Sequence, residues 1–144
     1  MTTETAVGSR RLTSTVDEVL APYETIQMVP AGKVLFREGN DPRGVYYLHS
    51  GEVDLRFSSP KSGQTKTLLI AGPGEILGLT SVMSGYGHDS TATARTACIT
   101  GFVEKARFLR LLEEKPALWV VVLRMISSNI SACWECMRSL AAAR

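Results

Sequence analysis

Between Tyr23 and Val103 the chain alternates short apolar runs with turns that contain glycine or proline. Successive side chains of a strand point to opposite faces, so period-two runs of this kind predict β-strands. The alternation is clearest at Val53, Leu55 and Phe57, whose neighbours are polar. Eight strands are predicted, at residues 25–29, 33–36, 44–49, 52–57, 65–70, 75–77, 91–96 and 98–103. Many short strands at near-regular spacing indicate a mainly β fold, either a β-sandwich or a jelly-roll barrel.

Helices flank this β region on both sides. Residues 16–20 are apolar at helical spacing, with Ser14 or Thr15 available as a cap, and predict a short helix. At residue 104 the period changes, and residues 104–115 predict a second helix that Pro116 ends. A longer helix is expected from 116 to 143, because proline is well tolerated in a first helical turn.

The long helix carries two apolar stripes. One steps by three and four residues alternately, as in a coiled-coil seam. Its members are Trp119, Val122, Ile126, Asn129, Cys133, Cys136 and Leu140. The other stripe, Leu118, Val121 and Met125, is expected to lie on the barrel. We therefore predict a homodimer that forms through this helix, with Asn129 setting register; the alternative is one broad buried face.

Length and composition predict the number of domains and the cellular location. A chain of 144 residues, 44% hydrophobic, suits a single domain. We expect a disordered tail at 1–14, the β domain at 15–115 and the dimerisation helix at 116–144. A net charge of +2 does not by itself indicate nucleic acid or membrane binding. The polar N-terminus does not resemble a signal peptide, and the longest apolar run, 117–123, is too short to span a bilayer, so a cytoplasmic location is expected.

The stretch 73–96, PGEILGLTSVMSGYGHDSTATART, combines glycines with a cluster of hydroxyl side chains. Glycine lets the backbone approach a ligand closely, and successive N–H groups favour an anion. The stretch therefore predicts a cradle for a phosphate or a similar small anion.

Four segments, taken in order, resemble the cyclic-nucleotide-binding domain of the catabolite-activator and fumarate–nitrate regulator superfamily. They are VPAGKVLFREGN at 29–40, VYYLHSGEV at 45–53, PGEILG at 73–78 and FLRLLEEKP at 108–116. The resemblance covers roughly residues 23–140. It implies a β-roll, that is, a double-stranded jelly-roll barrel, followed by a long C-terminal dimerisation helix.

The resemblance also places a ligand site, and there the chain departs from the family pattern. The implied site residues are Gly78, Leu79, Thr80, Ser81, His88, Asp89, Ser90, Thr91, Cys133 and Trp134. Leu79 replaces the family's ribose-binding glutamate. The phosphate-binding arginine falls at His88 or at Asp89, and counting back along the chain favours His88. A hydrogen bond to a charged group contributes about 1.5–3 kcal/mol, so we expect ordinary cyclic AMP binding to be lost.

The pair Cys133 and Cys136 forms a C-x-x-C on the long helix. In a dimer four thiols would meet, enough for zinc, an iron–sulfur cluster or an interchain disulfide. We favour simple packing in the seam and no cofactor, because metal sites usually take ligands from more than one element. Trp134 is expected to act as core or lid.

No catalytic motif is present, so the sequence predicts a non-catalytic sensor or regulatory domain that binds a non-standard small ligand or none. A partner protein or a small-molecule effector is expected, and direct DNA binding by this chain is not. The alternative is the N-terminal sensor part of a transcriptional regulator, with residual cyclic-nucleotide binding.

Overall fold

A computed structural model describes residues 16–59 and 61–142, so the predicted tail at 1–14 lies outside the described residues. Residues 16–20 are helical (α1) and lead into a 3-10 turn at Ala21–Tyr23. The strands are β1 (Thr25–Val29), β2 (Val34–Phe36), β3 (Gly44–Ser50), β4 (Val53–Ser58), β5 (Thr65–Ala71), β6 (Ile76–Leu77), β7 (Thr91–Ala94) and β8 (Cys98–Glu104). The other helices are α2 (Leu79–Ser84), α3 (Lys105–Glu114) and α4 (Pro116–Ala142). All eight strands were predicted, with ends that differ by at most two residues.

The strands form two antiparallel sheets of four strands each. One sheet has the order β1-β8-β3-β6 and the other β2-β7-β4-β5. Both sheets contribute side chains to one apolar cluster, in which Leu48 and Leu77 of the first sheet meet Val53 and Ala92 of the second. The predicted β-roll is confirmed as two sheets that share a core, and among the described strands they do not close into a barrel.

A second apolar cluster lies between the helices and the outer face of the first sheet. Val45, Tyr47 and Val103 of the sheet pack there with Phe108 of α3 and Leu118 of α4. This cluster fixes α4 to the domain, and Val121 and Met125 pack in it as predicted.

The predicted separation of the two stripes on α4 is wrong. Val122, assigned to the dimer seam, is fully buried in the domain's own core, and Ile126 packs against the same cluster. Of the predicted seam, only Trp119 is exposed among the residues whose side chains are described. The side chains of Asn129, Cys133, Cys136 and Leu140 lie outside the described part, so the proposals about them stay predictions.

Besides Trp119, which is 38% exposed, helix α4 leaves three large apolar side chains outside the predicted seam exposed. They are Val120, Leu123 and Ile130, which are 46%, 59% and 53% exposed. No helix in the described part of the chain is both long and apolar enough to cross a bilayer.

Candidate ligand site

The glycine-rich stretch contains a short helix that the sequence analysis missed. Helix α2 begins after Gly78 and ends before Gly85, and both glycines adopt the left-handed conformation, with φ of +82° and +79°. That conformation is costly for residues with a Cβ, which explains the glycine at each end. Leu79 and Val82 point into the core on one face of α2. The three-residue spacing of Leu79 and Val82 is typical of a helix. The glycines on either side are equally typical of a loop, and for that reason the sequence analysis predicted no helix here.

A small cavity lies against α2, with a volume of about 80 Å³. From the predicted site it is lined by Gly78, Leu79, Thr80, Ser81, Asp89 and Ser90. Phe36 borders it from β2, and Met125 and Ile130 border it from α4. We refer to it as the cassette cavity. The sequence analysis did not foresee Phe36, Met125 or Ile130 as lining residues, because their approach depends on how β2 and α4 fold back.

The charged groups of the cassette cavity are carboxylates. Glu75 and Asp89 both line it, and no Lys, Arg or His stands among its described lining residues. The Glu75 Oε2 accepts a hydrogen bond from the Gly72 N–H at 2.5 Å, and the Ser90 hydroxyl donates to Asp89 Oδ1 at 3.4 Å. Glu75 is half-buried and Asp89 is exposed, so solvent weakens their charges, but with no cation among the described lining residues to offset them they still disfavour a phosphate.

His88 does not line the cassette cavity. Its imidazole stacks on Phe36, with ring centroids 3.9 Å apart and planes inclined by 17°. The structure therefore places Asp89, and not His88, at the cassette cavity. Counting along the sequence had favoured His88 for this position. His88 borders a larger second cavity of about 500 Å³ on the side of the β2–β3 connection.

The His88 side chain is buried, and two hydrogen bonds hold its backbone in place. The residue is 5% exposed, and burial lowers the pKa of its imidazole, with the nearby Asp89 carboxylate opposing that shift. Its backbone N–H donates to the Asn40 carbonyl at 2.9 Å, and its carbonyl accepts from the Gly39 N–H at 2.8 Å. Neither ring nitrogen has a hydrogen-bond partner within the part of the chain that the structure describes, and Nδ1 is fully buried.

The remaining predicted site residues lie elsewhere or are not described. Thr91 is outside the cassette cavity, where its hydroxyl oxygen accepts from the Glu38 N–H at 2.9 Å. The side chains of Cys133 and Trp134 are not among those described. In the described part of the chain, no group of three or more His, Cys, Asp or Glu residues is arranged to hold a metal ion.

Comparison with known proteins gives one family. The sequence matches the family described as "Cyclic nucleotide-binding domain" over residues 26–115. The chain is 29% identical over 117 residues to the "Cyclic AMP receptor protein" of Thermus thermophilus, which covers 81% of this chain and 50% of that protein. The chain thus spans about half the length of this curated relative.

Solved structures give the same fold. The c-di-GMP responsive global regulator CLP of Xanthomonas campestris superposes with a TM-score of 0.79 at 18% identity, over 89% of this chain and 64% of that one. The sensor domain of the transcriptional regulator DNR from Pseudomonas aeruginosa gives 0.64 at 18% identity, over 88% of this chain and 93% of that domain. These two structures share the fold of this chain. The chain belongs to the cyclic nucleotide-binding domain family, of the catabolite-activator and fumarate–nitrate regulator type.

Proposed function

We propose that this chain is a non-catalytic regulatory domain whose cassette no longer takes an ordinary cyclic nucleotide. The observation that carries the proposal is the charge of the cassette cavity. Glu75 and Asp89 face the space where the family resemblance places a phosphate, and its described lining offers no cation to pair with one. Leu79 occupies the position of the family's ribose-binding glutamate and is buried in the core.

The size of the cavity supports the same conclusion. Small-molecule sites usually measure about 300–1,000 Å³, whereas the cassette cavity measures about 80 Å³. Met125 and Ile130 of α4 occupy its border, so a larger ligand would have to displace the helix. The site suits either a small polar ligand of non-standard type or none.

A thermal-shift experiment tests this proposal. A ligand that binds only the folded state at one hundred times its Kd stabilises that state by about 2.7 kcal/mol. We expect no rise in Tm with millimolar cyclic AMP, cyclic GMP or cyclic di-GMP. A concentration-dependent rise with any of them favours the alternative function, the sensor part of a longer transcriptional regulator that keeps cyclic-nucleotide binding.

We also propose that the domain forms a homodimer through α4, with a seam different from the one predicted. Val120, Leu123 and Ile130 are exposed and lie at positions that step by three and then seven residues, as one stripe of a coiled coil does. Because Val122 and Ile126 pack in the core of their own domain, the exposed stripe is the face left for a second chain.

Sedimentation equilibrium tests the dimer. Leu123→Glu places a charge in the centre of the exposed stripe and is expected to give a monomer. Ser128→Glu, at an exposed position of α4 outside that stripe, is the matched control and should stay dimeric. A wild-type chain that is monomeric at high micromolar concentration contradicts the proposal.

We further propose that the domain works in the cytoplasm and that this chain does not itself bind DNA.

A further inference from the structure

The second cavity, beside the β2–β3 connection, is larger and more polar than the cassette cavity. Its volume of about 500 Å³ falls within the usual range for small-molecule sites. Leu35 and Phe36 form its apolar part. The polar part comes from Asn40, Asp41, Arg43, Tyr46 and His88.

The wall of this cavity carries a polar atom that no other described residue engages. The Nδ1 of His88 is fully buried, so a ligand in the cavity cannot reach that nitrogen. The Nε2 is not among the fully buried atoms, and it forms no hydrogen bond with another described residue. Since His88 borders this cavity and not the cassette cavity, a ligand bound here can form a hydrogen bond with Nε2.

The rim of the cavity carries one charge of each sign. Arg43 and Asp41 both line it, and neither forms an ion pair within the described part of the chain. Arg43 lies near the Tyr46 phenol, where its charge partly offsets the rise in the phenol's pKa that burial causes. The Tyr46 hydroxyl donates to the Leu35 carbonyl at 3.4 Å, which leaves its oxygen free to accept.

Because the rim carries one guanidinium and one carboxylate, a simple anion or a simple cation bound there meets a like charge as well as an opposite one. A ligand that carries both charges meets a complementary partner at each end. The apolar surface of Leu35 and Phe36, beside this polar rim, suits a short apolar side chain on the same ligand.

We infer that the second cavity is a binding site for a free α-amino acid with an apolar side chain, held by its carboxylate at Arg43, its ammonium at Asp41 and a hydrogen bond to the His88 imidazole. The site is separate from the cassette cavity, and the inference does not depend on the function proposed for that cavity. Phe36 borders both cavities, so occupancy of one changes a wall of the other.

Titration calorimetry of the whole chain with L-leucine and L-phenylalanine tests the inference. Saturable binding is expected for at least one of them, together with a shift of the His88 ring resonances in NMR spectra. N-acetyl-L-phenylalanine lacks the ammonium and L-phenylalaninamide lacks the carboxylate, so each should bind at least about tenfold more weakly than L-phenylalanine.

Variants of the chain locate the binding. Arg43→Gln and Asp41→Asn should each weaken amino-acid binding at least about tenfold, while Arg37→Gln, at an exposed position outside the cavity, should leave it unchanged. The inference is overturned if neither amino acid binds saturably up to about 10 mM, or if both charge-deleted analogues bind as well as L-phenylalanine. It is also overturned if Ser81→Ala in the cassette cavity abolishes binding and Arg43→Gln does not. That last result places the ligand in the cassette cavity and leaves the proposed function standing.

Discussion

The imidazole of His88 lies nearly parallel to the ring of Phe36, with centroids 3.9 Å apart. This pair separates the two cavities, because Phe36 borders both and His88 borders only the larger one. Gly78 lies against the pair, and a Cβ there would be 3.3 Å from the His88 Cε1. Counting along the sequence had favoured His88 for the phosphate-binding position, but His88 lies in the wall of the larger cavity. Asp89 lines the cassette cavity instead.

Burial of His88 predicts a pH-dependent stability. In the unfolded chain the imidazole titrates near its ordinary pKa of about 6.5, and in the folded chain burial lowers that pKa. Well above that pKa both states are neutral and His88 contributes no pH dependence. As pH falls through about 6.5 the unfolded state binds more protons than the folded state, so the free energy of unfolding falls, by at most about 1.4 kcal/mol per pH unit.

Urea unfolding at a series of pH values between about 8 and 5 measures this effect. His88→Gln removes the titrating group, so the difference in stability between wild type and variant should shrink or reverse as the pH is lowered through this window. Asp89→Asn removes the charge that favours the imidazolium and should steepen the loss. Parallel pH profiles for wild type and His88→Gln would show that His88 is not held neutral by the fold.

The close approach of the cassette loop to the β2–β3 connection predicts a glycine requirement at residue 87. A Cβ on Gly87 would lie 2.7 Å from the Gly39 carbonyl oxygen, so the backbone must shift to admit alanine. Gly87→Ala is expected to lower the free energy of unfolding by about 1–3 kcal/mol. Gly72→Ala is the control, because its nearest neighbour would be the Glu75 Oε2 at 4.0 Å, and its effect should stay within about 1 kcal/mol. Equal effects of the two substitutions would refute the close approach.

The burial of Val122 predicts that the two faces of α4 respond differently to truncation. Val122 is fully buried, whereas its neighbour Leu123 is 59% exposed. Val122→Ala should destabilise the domain by about 1–3 kcal/mol at every protein concentration. Leu123→Ala should leave the stability of the monomer within about 0.5 kcal/mol and weaken only the dimer. Chemical denaturation at low and high protein concentration separates the two effects. If the free energy of unfolding that Val122→Ala loses depended on protein concentration, Val122 would belong to the dimer interface after all.

The sheets could be predicted from the sequence because each strand is short, has period-two or apolar patterning and ends at a turn residue. Helix α2 could not, since its six residues lie between two glycines that are equally typical of a loop. On α4 the step of three and four residues fits more than one stripe. Packing of Val122 and Ile126 with the helices and outer sheet face decides which stripe is buried, and that packing is not visible in the helix's own sequence.

The candidate site was predictable in part. Gly78, Leu79, Thr80, Ser81 and Ser90 do gather at one cavity. The choice between His88 and Asp89 turns on a single residue of register, and the structure places these neighbours against different cavities. In the sequence, the segment that contains Asn40, Asp41 and Arg43 is typical of an ordinary turn. Only the fold brings these residues beside His88.

Calorimetric titration of the whole chain with cyclic AMP, and separately with cyclic GMP, tests most directly whether the cassette has lost its nucleotide. With Glu75 and Asp89 in a cavity of about 80 Å³, no saturable heat of binding is expected at millimolar nucleotide. Saturable binding of either nucleotide with a micromolar Kd, abolished by a bulky substitution such as Ser81→Trp in the cassette cavity, would contradict the account.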